Sequence, residues 1–72
     1  MKAIFAGGSH HNTVKEITNA NPTLQMTANS ESFEKEQYSL ISVKNHEGIL
    51  YAIYKQMNCL QTELNEIFAK FN

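Results

Sequence analysis

The last third of the chain, NHEGILYAIYKQMNCLQTELNEIFAKFN, constrains the fold most, because its apolar residues fit two different periods. Leu50, Ile53, Met57, Leu60, Leu64, Ile67 and Phe71 recur at spacings of 3, 4, 3, 4, 3 and 4. That repeat describes a seam along one long amphipathic helix. The competing pattern is a β-hairpin. Asn45, His46, Glu47 and Gly48 would form its loop, with Gly48 in the left-handed position, and ILYAIY would be its second strand. A shorter helix would then begin at Asn58, capped with Gln61. Residues 49–54 are all apolar or aromatic and fit either period, so only Met57 ties the two halves of the seam together. The long helix is the leading expectation.

Upstream, KAIFA (residues 2–6) is a short apolar run without polar alternation, the mark of a strand buried on both faces. Gly7 and Gly8 end it. Thr13 and Glu16 match a capping box and predict a short helix that buries Val14 and Ile17. Asn19, Asn21 and Pro22 stop that helix. TLQMTA (residues 23–28) alternates and predicts an edge strand. NSESFEKEQ (residues 29–37) predicts a helical turn anchored by Phe33, with Glu34, Lys35 and Glu36 on a solvated surface turn. YSLISVK (residues 38–44) is rich in residues that favour strands. With the long helix, the order is β-α-β-turn-β-α. The expected class is α/β, with a small three-stranded, mostly parallel sheet ordered 2-1-3. The alternative is α+β, with a hairpin at residues 38–55 and a shorter C-terminal helix.

The chain has 72 residues and is expected to be a single domain, residues 1–72. A domain of this size buries only about 60% of the surface its unfolded chain exposes, so a second copy is one natural source of support. Cys59 is the only cysteine, which excludes an internal disulfide and suits a reducing compartment. Neither a secretory signal nor a membrane span is visible, so the expected location is cytoplasmic. Six lysines, no arginine and seven acidic residues give a net charge of −1. That balance argues against nucleic acid and against a membrane surface as partner.

The polar segments that follow the expected strands hold all three histidines. In an open α/β sheet, ligands bind beyond the carboxyl ends of the strands. Gly7, Gly8, Ser9, His10, His11, Asn12 and His46 are therefore the candidate ligand-binding residues, for an anion or nucleotide. A tight turn with a polar cap accounts for the same residues without a ligand. Neither the Walker pattern nor G-x-G-x-x-G is present. The opening strand and glycine turn resemble the start of phosphopantetheine-type adenylyltransferases, but the H-x-G-H signature is missing, and the chain is less than half the length of such a domain. A zinc site from His10, His11, His46 and Glu47 would need these loops to meet. No catalytic nucleophile stands out: Ser9 lacks an elbow, and Cys59 has no neighbouring cation to activate it. Neither a catalytic residue nor a cofactor is expected.

The seam carries more apolar surface than a three-stranded sheet can cover. A helix of about 25 residues spans about 37 Å, longer than such a domain needs. Tyr54, Met57, Leu60, Leu64, Ile67, Phe68 and Phe71 are accordingly the expected interface, for a homodimer or a partner protein. The functional expectation is a small non-enzymatic interaction module that inhibits or modulates a partner, a size and style typical of phage or mobile-element accessory proteins. The alternative is a small-ligand binder that uses the strand-end loops.

Overall fold

The computed structural model describes residues 1–27 and 34–71. Five strands and one short helix follow one another: β1 (Lys2–Ala6), β2 (Val14–Glu16), β3 (Thr23–Thr27), β4 (Lys35–His46), β5 (Ile49–Gln56) and α1 (Gln61–Ala69). The strands form one sheet in the order β2-β1-β5-β4-β3. β1 and β5 run parallel, and every other pair is antiparallel. The sheet is curled, like half of a barrel.

This arrangement overturns the three-stranded, mostly parallel α/β expectation with a long C-terminal helix. Residues 49–56 are strand, paired on one side with β1 and on the other with β4. The physical reason lies in the neighbours. β1 has buried residues on both faces and needs an equally apolar strand beside it. Only ILYAIY offers one, and Ala52, Ile53 and Tyr54 are fully buried there. In a strand, a spacing of three puts Leu50 and Ile53 on opposite faces, so the upper half of the seam dissolves. The hairpin between β4 and β5 closes through Glu47 and Gly48, both at positive φ (52° and 84°), the two-residue loop that matches strand twist. Gly48 N–H donates to Asn45 Oδ1 at 3.2 Å.

The expected helix at residues 13–19 is also replaced. Val14–Glu16 pairs antiparallel with β1, and Thr13 N–H donates to His10 O instead of capping a helix. Three residues after a tight loop gain more by extending a buried sheet than by forming one marginal helical turn. The expected strands at residues 2–6 and 38–44 are present, and β3 occupies an edge, as its alternation predicts. The expected turn around Phe33 and the segment NSES lie outside the described residues.

The two sheet faces are covered differently. On one, α1 lays Leu64, Ile67, Phe68 and the following Phe71 over Ile4, Ala6 and Ile53. These are the i, i+3, i+4, i+7 positions of a helix with one apolar stripe. On the other, Ala3, Phe5, Tyr38, Ala52 and Tyr54 form a core that no helix among the described residues covers. Residues 17–22 cross this face from the β2 edge to the β3 edge, with Ile17 and Ala20 packed on the core. The strap is tied down by Tyr54 Oη donating to Asn21 O at 2.6 Å and by Leu40 N–H donating to Pro22 O at 2.9 Å. A bulge between Leu40 and Ser42 bends β4 where it leaves the strap.

Candidate functional site

The loop after β1 is built around glycine. Gly7 and Gly8 have φ of 80° and 70°, and Asn12 has φ of 68°. A Cβ on Gly7 would sit 2.7 Å from Cys59 Cβ, and one on Gly8 would sit 2.6 Å from Tyr38 Oη and collide with the Glu36 carboxylate. Both positions therefore require a residue without a side chain.

The donors of this loop face inward, to partners in the same chain. Gly7 N–H donates to His11 Nδ1 at 2.8 Å. Ser9 N–H and Oγ–H donate to Glu36, at 3.0 Å to Oε2 and 2.5 Å to Oε1. His10 N–H donates to Tyr38 Oη at 3.3 Å, and the N–H groups of His11, Asn12 and Thr13 go to Gly8 O, Phe5 O and His10 O. Tyr38 Oη lies 2.9 Å from Gly7 O and 3.0 Å from Glu36 Oε2, so its one proton is shared between them. The glycine loop does hold an anion, the Glu36 carboxylate, through Ser9 and Tyr38 and without a helix behind it. Ser9's hydroxyl, above all, holds that carboxyl below its ordinary pKa. Burial pushes Tyr38 up to about 12.

The histidines have separate tasks. His10 Nε2 lies 2.6 Å from Thr27 O, and a carbonyl only accepts, so that nitrogen carries the proton. This contact links the β1–β2 loop to the far edge strand and helps close the curl. His11 carries its proton on the same nitrogen: Nδ1 accepts from Gly7 at 2.8 Å, and Nε2–H donates to Glu66 Oε2 at 3.1 Å. Glu63 Oε2 stands 4.0 Å from Nδ1, and Lys70 Nζ donates to Asn12 Oδ1. The loop is thereby latched to α1.

His46 does not join them. It pairs with Ile49 at the hairpin end, whereas the loop leaves β1 beside Lys55. Six strand residues separate the two levels, about 20 Å. Gly7, Gly8, Ser9, His10, His11 and Asn12 form one structural knot, and His46 packs elsewhere, edge-on to Phe71 at 5.7 Å and to Tyr51 at 6.2 Å. The expected meeting of the three loops depended on parallel strands; with β4 antiparallel, the turn after it faces the other way. Among the described residues no group of three or more His, Cys, Asp or Glu is placed to hold a metal ion. Burial and then the Glu63 charge push the Cys59 thiol up, away from reactivity.

The expected interface residues also divide. Leu64, Ile67, Phe68 and Phe71 face the sheet, and Tyr54 is buried on the opposite side of it. Met57 and Leu60 stand exposed in the turn before α1. The long-helix interface is therefore not assembled. Apolar side chains are exposed elsewhere instead. Val43 and Leu50 are 46% and 47% exposed, on the face that carries Ala52 and the core beneath the strap. Ile41 and Ile49 are also exposed on the same two strands. Glu36 and Tyr38, the residues that organise the loop, were missed as its partners. Their only sequence signal is the E-x-Y spacing that puts both on one face of a strand.

No helix among the described residues is long and apolar enough to cross a membrane. No protein-family model, no curated protein and no solved structure matches this chain.

Proposed function

We propose that this chain is a non-enzymatic interaction module, and that its partner docks on the open end of the β4–β5 hairpin. The observation that carries this reading is the pair Val43 and Leu50, diagonal neighbours on the sheet face that continues the Phe5–Tyr38–Tyr54 core past the strap. Nearly half of each residue lies in water, and covering that remainder is worth about 1 kcal/mol per side chain, roughly half of what full burial contributes. Met57 and Leu60 are more exposed but sit in a turn, whereas Val43 and Leu50 are adjacent on one sheet face and continuous with a buried core. The expected mode is occupation of a partner's surface, with inhibition or modulation as the outcome. The test is native mass spectrometry of the protein purified from its own cells. A stoichiometric protein partner should accompany the wild type and be lost in Val43→Glu/Leu50→Glu, while Lys15→Glu on the β2 edge leaves it bound. Retention of the same partner by the double variant would remove this surface from the reading.

A homodimer has its own support, on β3 rather than on the helix. Leu40 N–H reaches Pro22 O, so residues 22, 24 and 26 turn their backbone toward β4 and residues 23, 25 and 27 turn theirs outward. That outward edge reads T-L-Q-M-T, uncharged and nearly the same in both directions. A two-fold axis at Gln25 would set each threonine against a threonine and leucine against methionine, the self-complementarity that a symmetric pair requires, with the His10 ring giving up the Thr27 carbonyl at each end to the partner strand. β2, at the other edge, carries Lys15 and Glu16. Sedimentation equilibrium should find a dimer that Gln25→Pro abolishes, because that change removes only an outward N–H. A monomer at millimolar concentration would end this second reading.

A further inference from the structure

The face covered by α1 has a cleft that the interaction reading does not use. Its volume is about 190 Å³, and it is lined by Ile4, Val14, His46, Tyr51, Lys70 and Phe71. We propose that it binds a small aromatic carboxylate, a single ring bearing one acid group.

Size sets the first limit. An apolar cavity of about 150 Å³ accommodates benzene, and drug-sized ligands need about 300 Å³ or more. This cleft therefore takes one ring with one small substituent. The lining sets the second. Ile4 is 2% exposed and makes an apolar floor, while Val14, on the paired strand opposite it, is 48% exposed and lacks cover. Tyr51 and Phe71 meet at 5.2 Å and 62°, and His46 meets Phe71 at 86°. Three rings held in different planes offer an added ring both faces and edges.

Charge sets the third limit. Among the described residues, Lys70 and His46 are the only lining residues that can be positive, and no carboxylate lines the cleft. The Lys70 ammonium donates to Asn12 Oδ1, a neutral acceptor that orients the charge without cancelling it. A carboxylate at the rim meets that ammonium while its ring covers Ile4 and Val14. A cation would be repelled, and a phosphate would find a single lysine where such groups are ordinarily met by several donors. His11, Glu63 and Glu66, nearer the start of α1, belong to the loop latch and do not line the cleft. This inference is independent of the partner surface, since Val43 and Leu50 lie on the other face of the sheet.

The experiment is a titration of the isotopically labelled full chain with benzoate, followed by amide chemical shifts. Benzoate should cause saturable shifts around Ile4, Val14, Tyr51 and Phe71, with a Kd on the order of 1 mM for a ligand of about nine non-hydrogen atoms. Acetate, which lacks the ring, should not saturate. Lys70→Gln, an exposed change that leaves the core intact, should weaken benzoate about fivefold. Benzyl alcohol should bind both proteins equally and no better than benzoate binds the variant. Equal benzoate affinity in wild type and Lys70→Gln would overturn the carboxylate, and the absence of saturable shifts at tens of millimolar would overturn the site.

Discussion

At the scale of single residues, Glu36 does the most for the loop that first looks like a ligand site. It is one carboxylate receiving both polar groups of Ser9 and the Tyr38 hydroxyl. Removing its charge leaves those donors facing an amide that matches them poorly. Glu36→Gln should lower stability at neutral pH by about 1–2 kcal/mol, read from the urea midpoint. The sign with pH follows from the direction of its shift. The folded carboxyl titrates below its unfolded value of 4.5, so its contribution is complete above that pH and is lost as pH falls through the folded value. Wild type should lose stability below about pH 4.5 more steeply than Glu36→Gln. Equal acid profiles would mean that the Ser9 contacts contribute nothing.

At the scale of elements, the seven-membered apolar seam is really two structures joined by a turn. The strand half alternates faces, and the helix half keeps one. The boundary falls at Met57 and Leu60, which are 83% and 63% exposed although they hold the repeat in register. Leu60 precedes α1 and cannot cap it with its own side chain; its N–H is instead received by Glu63 Oε1 at 3.0 Å. The expected cap at Asn58 and Gln61 is therefore displaced, to a carboxylate in the first turn. Leu60→Ala should change stability by less than about 0.5 kcal/mol. Ile67→Ala, at a fully buried position against Ile4 and Ile53, should cost about 2–4 kcal/mol by thermal or urea unfolding. Similar losses at both positions would restore the continuous seam.

At the scale of the whole molecule, stability is concentrated at the centre of the sheet. β1 and β5 are buried on both faces, and β4 pairs with β5 along most of its length. Hydrogen exchange should be slowest at Ile4, Phe5, Ala52, Ile53 and Tyr54, and fastest in β2, whose three residues are all exposed and which pairs on one side only. Exchange in β2 as slow as in β1 would mean that another surface covers that edge. At high pH the buried Tyr38 adds a second dependence. Its pKa is pushed to about 12, above the unfolded 10, so stability is complete below pH 10 and falls as pH rises toward 12.

The sequence by itself determined the strands at residues 2–6 and 38–44, the edge character of TLQMT, the helical period over residues 64–71 and the residues that make the loop tight. These follow from local properties: alternation, apolar runs, glycines and a 3.6-residue stripe. The tertiary structure alone decided whether 49–56 is helix or strand, because six consecutive apolar residues satisfy any period and only a neighbour chooses between them. β1 is that neighbour, and pairing with it fixed the rest. It made β4 antiparallel, sent His46 to the opposite end from His10 and His11, and turned Val14–Glu16 into a strand. The Glu36–Ser9 contact, 27 residues apart, was beyond local reading for the same reason. A hydrogen bond across the sheet leaves no mark on either segment until the strand order brings the two ends together.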